Sequence, residues 1–573
     1  MSEERRRSHW GWGHEDQILD RAALEGMAGF VRERLGFGGE QVEDPVAADA
    51  VELAEPRLKV PDSLAEIVSA ERHERLSHSM GKAYRDVVRG FRGRFERTPD
   101  MVARPRDEED VRRVLELCSD MRLAAIPYGG GTSVVGGVEP RVGHGYRGCV
   151  TVDLSALDRV LEVDQTSLAA RVQAGVAGPD LDRQLGEHGL TARFYPQSFE
   201  YATLGGWIAT RAGGHFATVR THIDDFVESI RAVTPSGTWE SRRLPGSGAG
   251  PSPDRMLLGS EGILGLITEA WLRVRRPPTW KASCAVRFDS FAAGAEAVRA
   301  LAQSDLDPAN CRLLDPVEAG VVGISDGSDA VLMLGFESSF GPIEGRMSAA
   351  LECVEDLGGR PGEVRHTVRA AAGGVGETAT AAGQGGGERR AAGEGSGDTQ
   401  VGGGPEDPVD DWRATFLAAP YLRNSFVALG VIAETFETAI TWDRFGEFHQ
   451  RVEEAARRSV AEVTGAPPDG PGSPKVGCRF THVYPDGPAP YYTVLAPARR
   501  GSEVEQWDEI KAAVSEAIGS AGGTITHHHA VGRDHRPAYD LQRPEPFAEA
   551  LRAAKAAVDP DGILNPGVLI DPA

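Results

Sequence analysis

The sequence predicts an α+β protein with more than one domain. Helix and strand patterns mix along the chain without strict alternation, which is typical of α+β folds. At 573 residues the chain is too long for one hydrophobic core, so we expect two domains with accessory segments. Residues 369–408 are mostly Gly, Ala and small polar residues, without the bulky apolar groups that offset the entropy of ordering. We therefore expect a disordered insertion there.

Composition narrows the class of protein. The net charge of −23 argues against a nucleic-acid partner, and no apolar run reaches the roughly 18 residues of a membrane span. The first residues are charged with no apolar segment behind them, so we expect no secretory signal and a cytoplasmic protein. Six cysteines without a Cys-x-x-Cys pair favour reduced thiols, and we expect neither disulfides nor a metal site.

The elements before the insertion are predicted from local patterns. Residues 106–122 combine acidic residues in a first turn with a helical apolar repeat, which predicts a helix. The short apolar run 123–128 that follows reads as a buried strand. Residues 148–154 and 168–175 have the composition of further strands.

The elements after the insertion are fewer and longer. Residues 420–440 predict an apolar helix and residues 442–465 an amphipathic one. Strands are expected around 478–484 and 491–496. A helix and a strand close this region, and the strand ends in the run "TITHHHAVG", residues 524–532.

Three glycine-rich segments carry the first functional indication. They are "PYGGGTSVVGG" at 127–137, "TLGGWIATRAGG" at 203–214 and "GSEGILGLITEA" at 259–270. None has the pattern of a nicotinamide-binding loop or of a P-loop. Consecutive glycines can present bare N–H groups to a pyrophosphate, although the first segment alone could be a flexible turn. Together the three indicate a long phosphate-containing ligand that lies against backbone.

These segments resemble the flavin-binding segments of the vanillyl-alcohol-oxidase-type FAD enzymes. The resemblance implies two α+β subdomains around FAD and an α+β substrate (cap) domain. No flavin-attaching histidine lies near the first segment, so we expect non-covalent FAD. The implied cofactor contacts are Pro127, Tyr128, Gly129, Gly130, Gly131, Thr132, Ser133, Gln197, Ser198, Phe199, Glu200, Tyr201, Ala202, Thr203, Gly205, Gly206, Thr210, Arg211, Ala212, Gly213, Glu261, Gly262, Ile263, Leu264, Gly265, Leu266 and Ile267.

The resemblance also suggests a domain plan. A mainly helical region, 1–98, precedes the FAD-binding domain, 99–278. The substrate domain, 279–543, contains the insertion 369–408. The closing segment, 544–573, is expected to return to the FAD-binding domain.

Within this superfamily the chain resembles the alkyldihydroxyacetonephosphate synthases almost from end to end. The stretches "HWGWG", "CRLLDP", "CRFTHVY" and "THHHAVGRDH" are similar to that family. The His-x-x-Gly-Asp-Gly-Asn-x-His motif of the D-lactate and D-2-hydroxyglutarate dehydrogenases is absent where it would be expected. The chain departs from the synthases in its insertion and in "PAPYYTVLAP", where that family is more aromatic.

The three histidines are the first catalytic candidates. In a strand, His527 and His529 would face one side and His528 the other. A histidine near its ordinary pKa moves protons, and when charged it binds phosphate. The alternative is a polar strand end at the surface. The resemblance assigns catalytic importance to all three residues.

Tyr491 falls where the synthases carry an acid/base tyrosine, and Tyr492 should face the opposite side of the strand. A phenol has a pKa near 10, so a role as base requires nearby cations, which the histidines would supply. The alternative is a core tyrosine with its hydroxyl at the rim.

Two arginines are candidates for substrate binding. Arg423 is the lone charge in an apolar run, and an arginine fork holds phosphate oxygens in two bonds. It could instead pair with a carboxylate or reach out from an apolar helix face. Arg312 matches another arginine of the family, but Asp315 lies three residues away and could pair with it.

The function implied is a redox-neutral, FAD-dependent transferase of ether-lipid synthesis. It would exchange the acyl group of acyl-dihydroxyacetone phosphate for a long-chain fatty alcohol, without a metal or an electron acceptor. We expect a homodimer with peripheral membrane contact. The alternatives are an FAD oxidoreductase acting on a D-2-hydroxy acid or an alcohol, and a flavoprotein without turnover.

Overall fold

The computed structural model describes residues 5–368 and 419–571. The segment 369–408, for which the sequence predicts disorder, lies outside the described residues. The described chain forms three β-sheets with helices packed around them. Helices and strands mix as expected for an α+β fold.

The helices follow one another along the whole described chain. They are α1 (Arg21–Leu35), α2 (Arg72–Ser77), α3 (Tyr84–Phe91), α4 (Glu108–Met121), α5 (Gly178–Gly186), α6 (Leu204–Thr210), α7 (Asp254–Leu257), α8 (Phe291–Ala302), α9 (Pro316–Val321), α10 (Glu344–Glu355), α11 (residues 419–428), α12 (Trp442–Thr464), α13 (Glu503–Ser520), α14 (Arg536–Gln542) and α15 (Glu545–Val558).

The strands divide among the sheets in chain order. The first sheet has the order β1-β2-β4-β3, from β1 (Val68–Ser69), β2 (Met101–Ala103), β3 (Leu123–Tyr128) and β4 (Gly148–Asp153). The second has the order β5-β6-β9-β7-β8, from β5 (Val160–Asp164), β6 (Ala169–Gln173), β7 (Val227–Thr234), β8 (Gly237–Glu240) and β9 (Leu266–Arg273). The third has the order β13-β10-β12-β11-β16-β17-β15, with β14 on β10, from β10 (Trp280–Phe288), β11 (Asn310–Leu314), β12 (Ala330–Ser338), β13 (Arg360–Pro361), β14 (Arg365–Val368), β15 (Val431–Glu437), β16 (Lys475–Val483) and β17 (Pro488–Pro497).

The first sheet forms where the local patterns predict it. Asp107 caps α4 by accepting a hydrogen bond from the N–H of Asp110, which satisfies an end of the helix that would otherwise lack a partner. The apolar side of α4 is buried against the parallel strands β3 and β4. The predicted helix at 106–122 and the strands at 123–128, 148–154 and 168–175 are thus confirmed.

The closing segment packs on the first two sheets. Leu564 pairs with Ala125 beside β3 and is fully buried in the core of the first sheet. Residues 568–570 are buried in the core of the second sheet. The closing segment thus contacts strands that precede residue 278, while the domain plan, including the return of 544–573, stays a prediction.

The predicted helix at 420–440 is wrong in its second half. Gly430 adopts a left-handed backbone with φ +74°, which ends α11. The β-branched residues that follow favour a strand, and 431–437 pairs antiparallel with β17. As a result, Glu437 lies directly opposite Tyr491.

All six cysteines are free thiols, and five of them are buried. Over residues 5–368 and 419–571, no helix has both the length and the apolar character of a membrane span.

The docking of the closing segment predicts a stability effect. Replacing the fully buried Leu564 by alanine leaves a cavity between that segment and β3, so we expect the free energy of unfolding to fall by about 2–5 kcal/mol. Leu541→Ala is the matched control, because that leucine is 90% exposed. Thermal and denaturant unfolding of both variants measure the difference. Equal stability of the two variants would show that the segment is not part of the folded core.

Candidate active site

The three glycine-rich segments meet in the structure. A Cβ atom added to Gly130 would lie 2.0 Å from the carbonyl oxygen of Tyr201, and one added to Gly129 would lie 2.2 Å from Oγ1 of Thr203. A Cβ on Gly262 would lie 2.3 Å from Cγ of Pro127. The first segment therefore touches both of the others at positions where only glycine fits.

The first segment has donors available for an anion. Within the described chain, the N–H groups of Gly129, Gly130 and Gly131 donate to no protein acceptor. The hydroxyl of Ser133 accepts from the N–H of Gly137 at 3.1 Å, which holds the loop in a tight curve. Unpaired N–H groups in a half-buried loop are costly, and a pyrophosphate would satisfy them. The loop therefore fits the phosphate part of FAD.

The other expected cofactor contacts fall into two groups. Gln197, Ser198, Gly205, Gly206 and Thr210 are half-buried, in the turn before α6 and on α6 itself. The side chains of Ile263, Leu264, Leu266 and Ile267 are buried in the apolar cores, so only their backbone is available to a ligand.

Two expected contacts are engaged elsewhere. Arg211 is exposed and forms an ion pair with Asp224 at 2.8 Å. Glu200 is exposed and accepts a hydrogen bond from the hydroxyl of Tyr421. The methylene groups of Arg211 lie against Gly259 of the third glycine segment, while its guanidinium is taken up by Asp224.

The histidine run is a loop, so the predicted strand at 524–532 is wrong. The carboxylate of Glu437 accepts the backbone N–H of His527 at 2.6 Å, of His528 at 2.9 Å and of His529 at 2.8 Å. In a strand, successive N–H groups alternate in direction. Three in a row can reach one carboxylate only if the backbone curls around it.

A second buried carboxylate holds the end of the same loop. Glu261, in the third glycine segment, accepts the N–H groups of Val531 and Gly532, both at 2.9 Å. Burial raises the pKa of Glu261 to about 7, against the effect of these two donors. Burial also opposes ionisation of Glu437, yet His528 and His529 hold the pKa of Glu437 well below its ordinary value. The histidine loop is thus tied to β15 and to the cofactor segments.

Two further histidines that sequence reasoning missed surround the loop. The ring of His527 lies 4.6 Å from that of His222 and 5.0 Å from that of His482, between centroids. His527 Nε2 is hydrogen-bonded to the hydroxyl of Tyr484 at 2.8 Å, and its Nδ1 lies 3.0 Å from Nδ1 of His528. His482 stands within the "CRFTHVY" stretch, which indicated only a strand, and nothing in the sequence marks His222.

Three of these rings come close enough to hold a metal ion, a grouping that the sequence did not predict. One nitrogen each of His482, His527 and His528 lie within 4.8 Å of one another. His482 Nε2 is already hydrogen-bonded to the carbonyl oxygen of Gly214 at 2.9 Å, and both nitrogens of His527 have partners. Hydrogen bonds to Gly214 and Tyr484, and one between His527 and His528, therefore already hold the cluster.

The protonation of the cluster differs from the sequence expectation. Burial lowers the pKa of His527, His529 and His482 well below the ordinary value, and neighbouring histidines lower it further. These imidazoles are neutral at pH 7. They can accept a proton, but they do not supply the positive charge that we expected them to place beside Tyr491.

Tyr491 lies at the centre of the site and is only 4% exposed. Its ring centroid is 5.7 Å from that of His529 and 6.2 Å from that of His528. The guanidinium carbon of Arg479 lies 3.9 Å from the centroid of the tyrosine ring. Burial raises the pKa of Tyr491 and Arg479 opposes that shift, so the phenol is protonated at neutral pH. Arg479, which also forms a buried ion pair with Glu318, therefore places a positive charge against the ring of Tyr491.

Tyr492 faces the opposite side of β17, as predicted. It is fully buried, and its hydroxyl lies 3.2 Å from Nδ1 of His449 on α12. The two adjacent tyrosines therefore belong to different environments.

The two arginine candidates differ in their surroundings. Arg423, on α11, donates from Nη1 to the carbonyl oxygen of Lys82 at 2.8 Å and has no carboxylate partner in the described part of the chain. Arg312 is buried, and burial together with Arg479 lowers its pKa to about 9. It donates to the carbonyl oxygens of His215 and Thr481 at 3.2 and 3.4 Å. Asp315 instead accepts two backbone N–H groups, those of Glu318 and Cys478.

The second glycine segment adjoins this cluster. A Cβ on Gly213 would lie 3.0 Å from Cε1 of His482 and 3.1 Å from Cβ of His528. The end of a segment expected to contact FAD therefore touches the histidine loop. The second glycine segment, the histidine loop and Tyr491 therefore lie next to one another.

Two protein families match the chain. Residues 99–241 match the family described as FAD binding domain. Residues 277–569 match the family described as FAD linked oxidases, C-terminal domain. These matches define a flavoprotein of the FAD-linked oxidase class, and they confirm FAD as the cofactor.

Individual relatives narrow the class. An alkyldihydroxyacetonephosphate synthase of Caenorhabditis elegans is 30% identical over 507 residues, which cover 88% of this chain and 81% of the relative. One of Dictyostelium discoideum is 26% identical, over 96% of this chain and 88% of the relative. A solved structure of an alkyldihydroxyacetonephosphate synthase has a TM-score of 0.74 at 21% identity, with 97% and 96% of the two chains covered. The chain belongs to the alkyldihydroxyacetonephosphate synthase family, and the predicted vanillyl-alcohol-oxidase-type fold is confirmed.

The neutral histidines predict a dependence of stability on pH. The pKa of His527 and His529 is lowered in the folded state relative to about 6.5 in the unfolded chain. Below pH 6.5 the unfolded state binds more protons, so their contribution to stability is complete above that pH and is lost as the pH falls. Each can lose at most about 1.4 kcal/mol per pH unit.

Replacing both histidines by glutamine should therefore flatten the decline in unfolding free energy between pH 7 and pH 5. His144→Asn is the control, because His144 is exposed. Denaturant unfolding across this pH range measures the slope. An unchanged slope in the double variant would mean that these two rings are already protonated in the folded protein.

Proposed function

We propose that this protein is an FAD-dependent alkyldihydroxyacetonephosphate synthase. It exchanges the acyl group of acyl-dihydroxyacetone phosphate for a long-chain fatty alcohol, as part of ether-lipid synthesis. The observation that carries the proposal is the enclosure of Tyr491 by Arg479, His528 and His529 beside the cofactor segments. The family relationship supports the same reaction.

The exchange is balanced without a net oxidant. The ester bond between the substrate carbon and the carboxylate oxygen breaks, and the fatty acid leaves with that oxygen. The ether bond forms with the oxygen of the alcohol, which gives up its proton. FAD held non-covalently at the glycine segments would supply an electrophilic flavin ring, and the exchange would leave it without a net gain of electrons.

Side chains of the protein accept and hold the protons that move in the reaction. A proton must leave the carbon next to the ketone, and the alcohol must lose its proton when the ether forms. His528 or His529 accepts a proton, because the Glu437 carboxylate lies 3.3 and 3.7 Å from their Nδ1 atoms and stabilises the resulting positive charge. Tyr491 holds its proton at rest, and Arg479 stabilises its phenolate when that proton moves.

Of the two candidate arginines, Arg423 is assigned to substrate binding. Arg423 lacks a carboxylate partner among the described residues, so its remaining N–H groups are available for the phosphate oxygens of the substrate. Arg312 touches His215 and the strand next to His482, so we assign it to the support of the histidine cluster.

The location and assembly of the enzyme are also proposals. The acyl and alkyl tails of these substrates partition into bilayers, which supports peripheral contact of a cytoplasmic enzyme with a membrane surface. The resemblance to the synthase family is the basis for proposing a homodimer. Flotation with lipid vesicles and light scattering test the two points separately.

The reaction is tested by mass spectrometry of the products. The FAD-loaded protein, given acyl-dihydroxyacetone phosphate and hexadecanol, should yield alkyl-dihydroxyacetone phosphate and fatty acid in equal amounts. Absence of the ether product from folded, flavin-loaded protein would contradict the proposal. Flavin bleaching by a D-2-hydroxy acid or alcohol would then identify an oxidoreductase.

Tyr491→Phe should slow ether formation by about 10²–10⁴-fold, because it removes a proton-transferring group but keeps the ring against Arg479. Tyr492→Phe is the matched control, since its hydroxyl lies on the other side of the strand beside His449. Rates are compared at equal flavin content. A Tyr491→Phe variant as fast as Tyr492→Phe would exclude Tyr491 from proton transfer.

A further inference from the structure

Lys82 lies at the junction between the first glycine segment and Arg423. Its backbone N–H donates to the carbonyl oxygen of Ser133 at 2.6 Å. Its own carbonyl oxygen accepts from Nη1 of Arg423 at 2.8 Å. The residue therefore joins the loop that fits a pyrophosphate to the arginine assigned to the phosphate of the substrate.

The side chain of Lys82 is a cation without a counterion. It is half-buried, and its ammonium forms no hydrogen bond or ion pair with any described residue. Burial lowers its pKa to about 8; nearby Asp86 opposes this shift, while Arg7 adds to it. A desolvated ammonium is costly unless an anion lies beside it.

Asp86 is occupied by other cations. Its carboxylate lies 3.8 Å from Nε of Arg85 and 3.9 Å from Nη1 of Arg89, and it accepts the backbone N–H of Ala83. Two arginines therefore lie within ion-pair distance of Asp86.

A second positive charge, that of Arg7, lies at the first glycine segment. Nη1 of Arg7 donates to the carbonyl oxygen of Gly130 at 3.0 Å. The charge of Arg7 affects the pKa of Lys82, so the guanidinium and the ammonium lie within electrostatic reach of each other. Two cations at one loop stand out in a chain with a net charge of −23, and they create a local field that attracts an anion.

We propose that the ammonium of Lys82, together with Arg7, binds a phosphate group at the first glycine segment. Two phosphates of the proposed reaction have the right chemistry: the pyrophosphate of FAD and the phosphate of acyl-dihydroxyacetone phosphate. The second source rests on the proposed function, whereas the first rests on the cofactor alone. Lysine serves either one as a compact point charge.

The test compares Lys82→Met with Lys59→Met, an exposed control lysine. Two dissociation constants are measured without turnover. One is that of FAD, from the fluorescence of flavin titrated into the apoprotein. The other is that of dihydroxyacetone phosphate, from the flavin spectrum of FAD-saturated protein. Loss of a hydrogen bond to a charged group should raise one constant about 10–100-fold in Lys82→Met and neither in the control.

The dissociation constant that rises in Lys82→Met shows which phosphate the lysine binds. A weaker FAD complex assigns Lys82 to the pyrophosphate, and a weaker complex with dihydroxyacetone phosphate assigns it to the substrate. Lys82→Arg should retain most of the affinity in either case. Neither constant changing more than twofold in the folded Lys82→Met variant overturns the proposal.

Stability separates this role from a structural one. An unpaired ammonium destabilises the apoprotein, so apo Lys82→Met should melt at the same temperature as the wild type or higher. A lower melting temperature with unchanged dissociation constants would show that Lys82 serves the fold instead. If wild-type protein binds no dihydroxyacetone phosphate, the proposed function is in doubt, and the FAD constant alone decides the role of Lys82.

Discussion

The carboxylate of Glu437 fixes the geometry of the candidate active site. It ends β15 and gathers the N–H groups of three successive histidines, together with the hydroxyl of Thr526. Without it, three N–H groups would be left without this acceptor in a half-buried loop, at a cost of about 1–3 kcal/mol each. The positions of the rings around Tyr491 depend on this one interaction.

Other parts of the candidate site are positioned relative to the Glu437 carboxylate. Tyr491 sits between Glu437 and Arg479 because β17 pairs with both β15 and β16 in the register that places these residues side by side. Glu261 draws the far end of the histidine loop onto the third glycine segment. Negative charge thus organises the backbone, and Arg479 supplies positive charge to the phenol. His527 and His529 remain neutral and can take a proton.

Local sequence patterns predicted the elements whose conformation depends mainly on neighbouring residues. The glycine segments, α4 and the strands beside it follow from side-chain size, capping and apolar spacing. The strand at 431–437 was missed because Gly430 breaks an apolar run that otherwise reads as a single helix. The histidine strand was wrong because a residue 90 positions away turns the backbone. Sequence reasoning did not identify four residues of the candidate site: Glu437, Arg479, His222 and His482. Their positions depend on strand register and on loop contacts between residues far apart in the chain, which local sequence patterns do not predict.

Hydrogen exchange in a Glu437→Gln variant tests this account most directly. Glutamine keeps the shape of the side chain but removes the charge that three donors share. In peptides covering 524–532, the amides of residues 527–529 should exchange about 5–100-fold faster in the variant, with exchange in α12 unchanged. Equal protection in both proteins would show that the histidine loop is held by something other than Glu437.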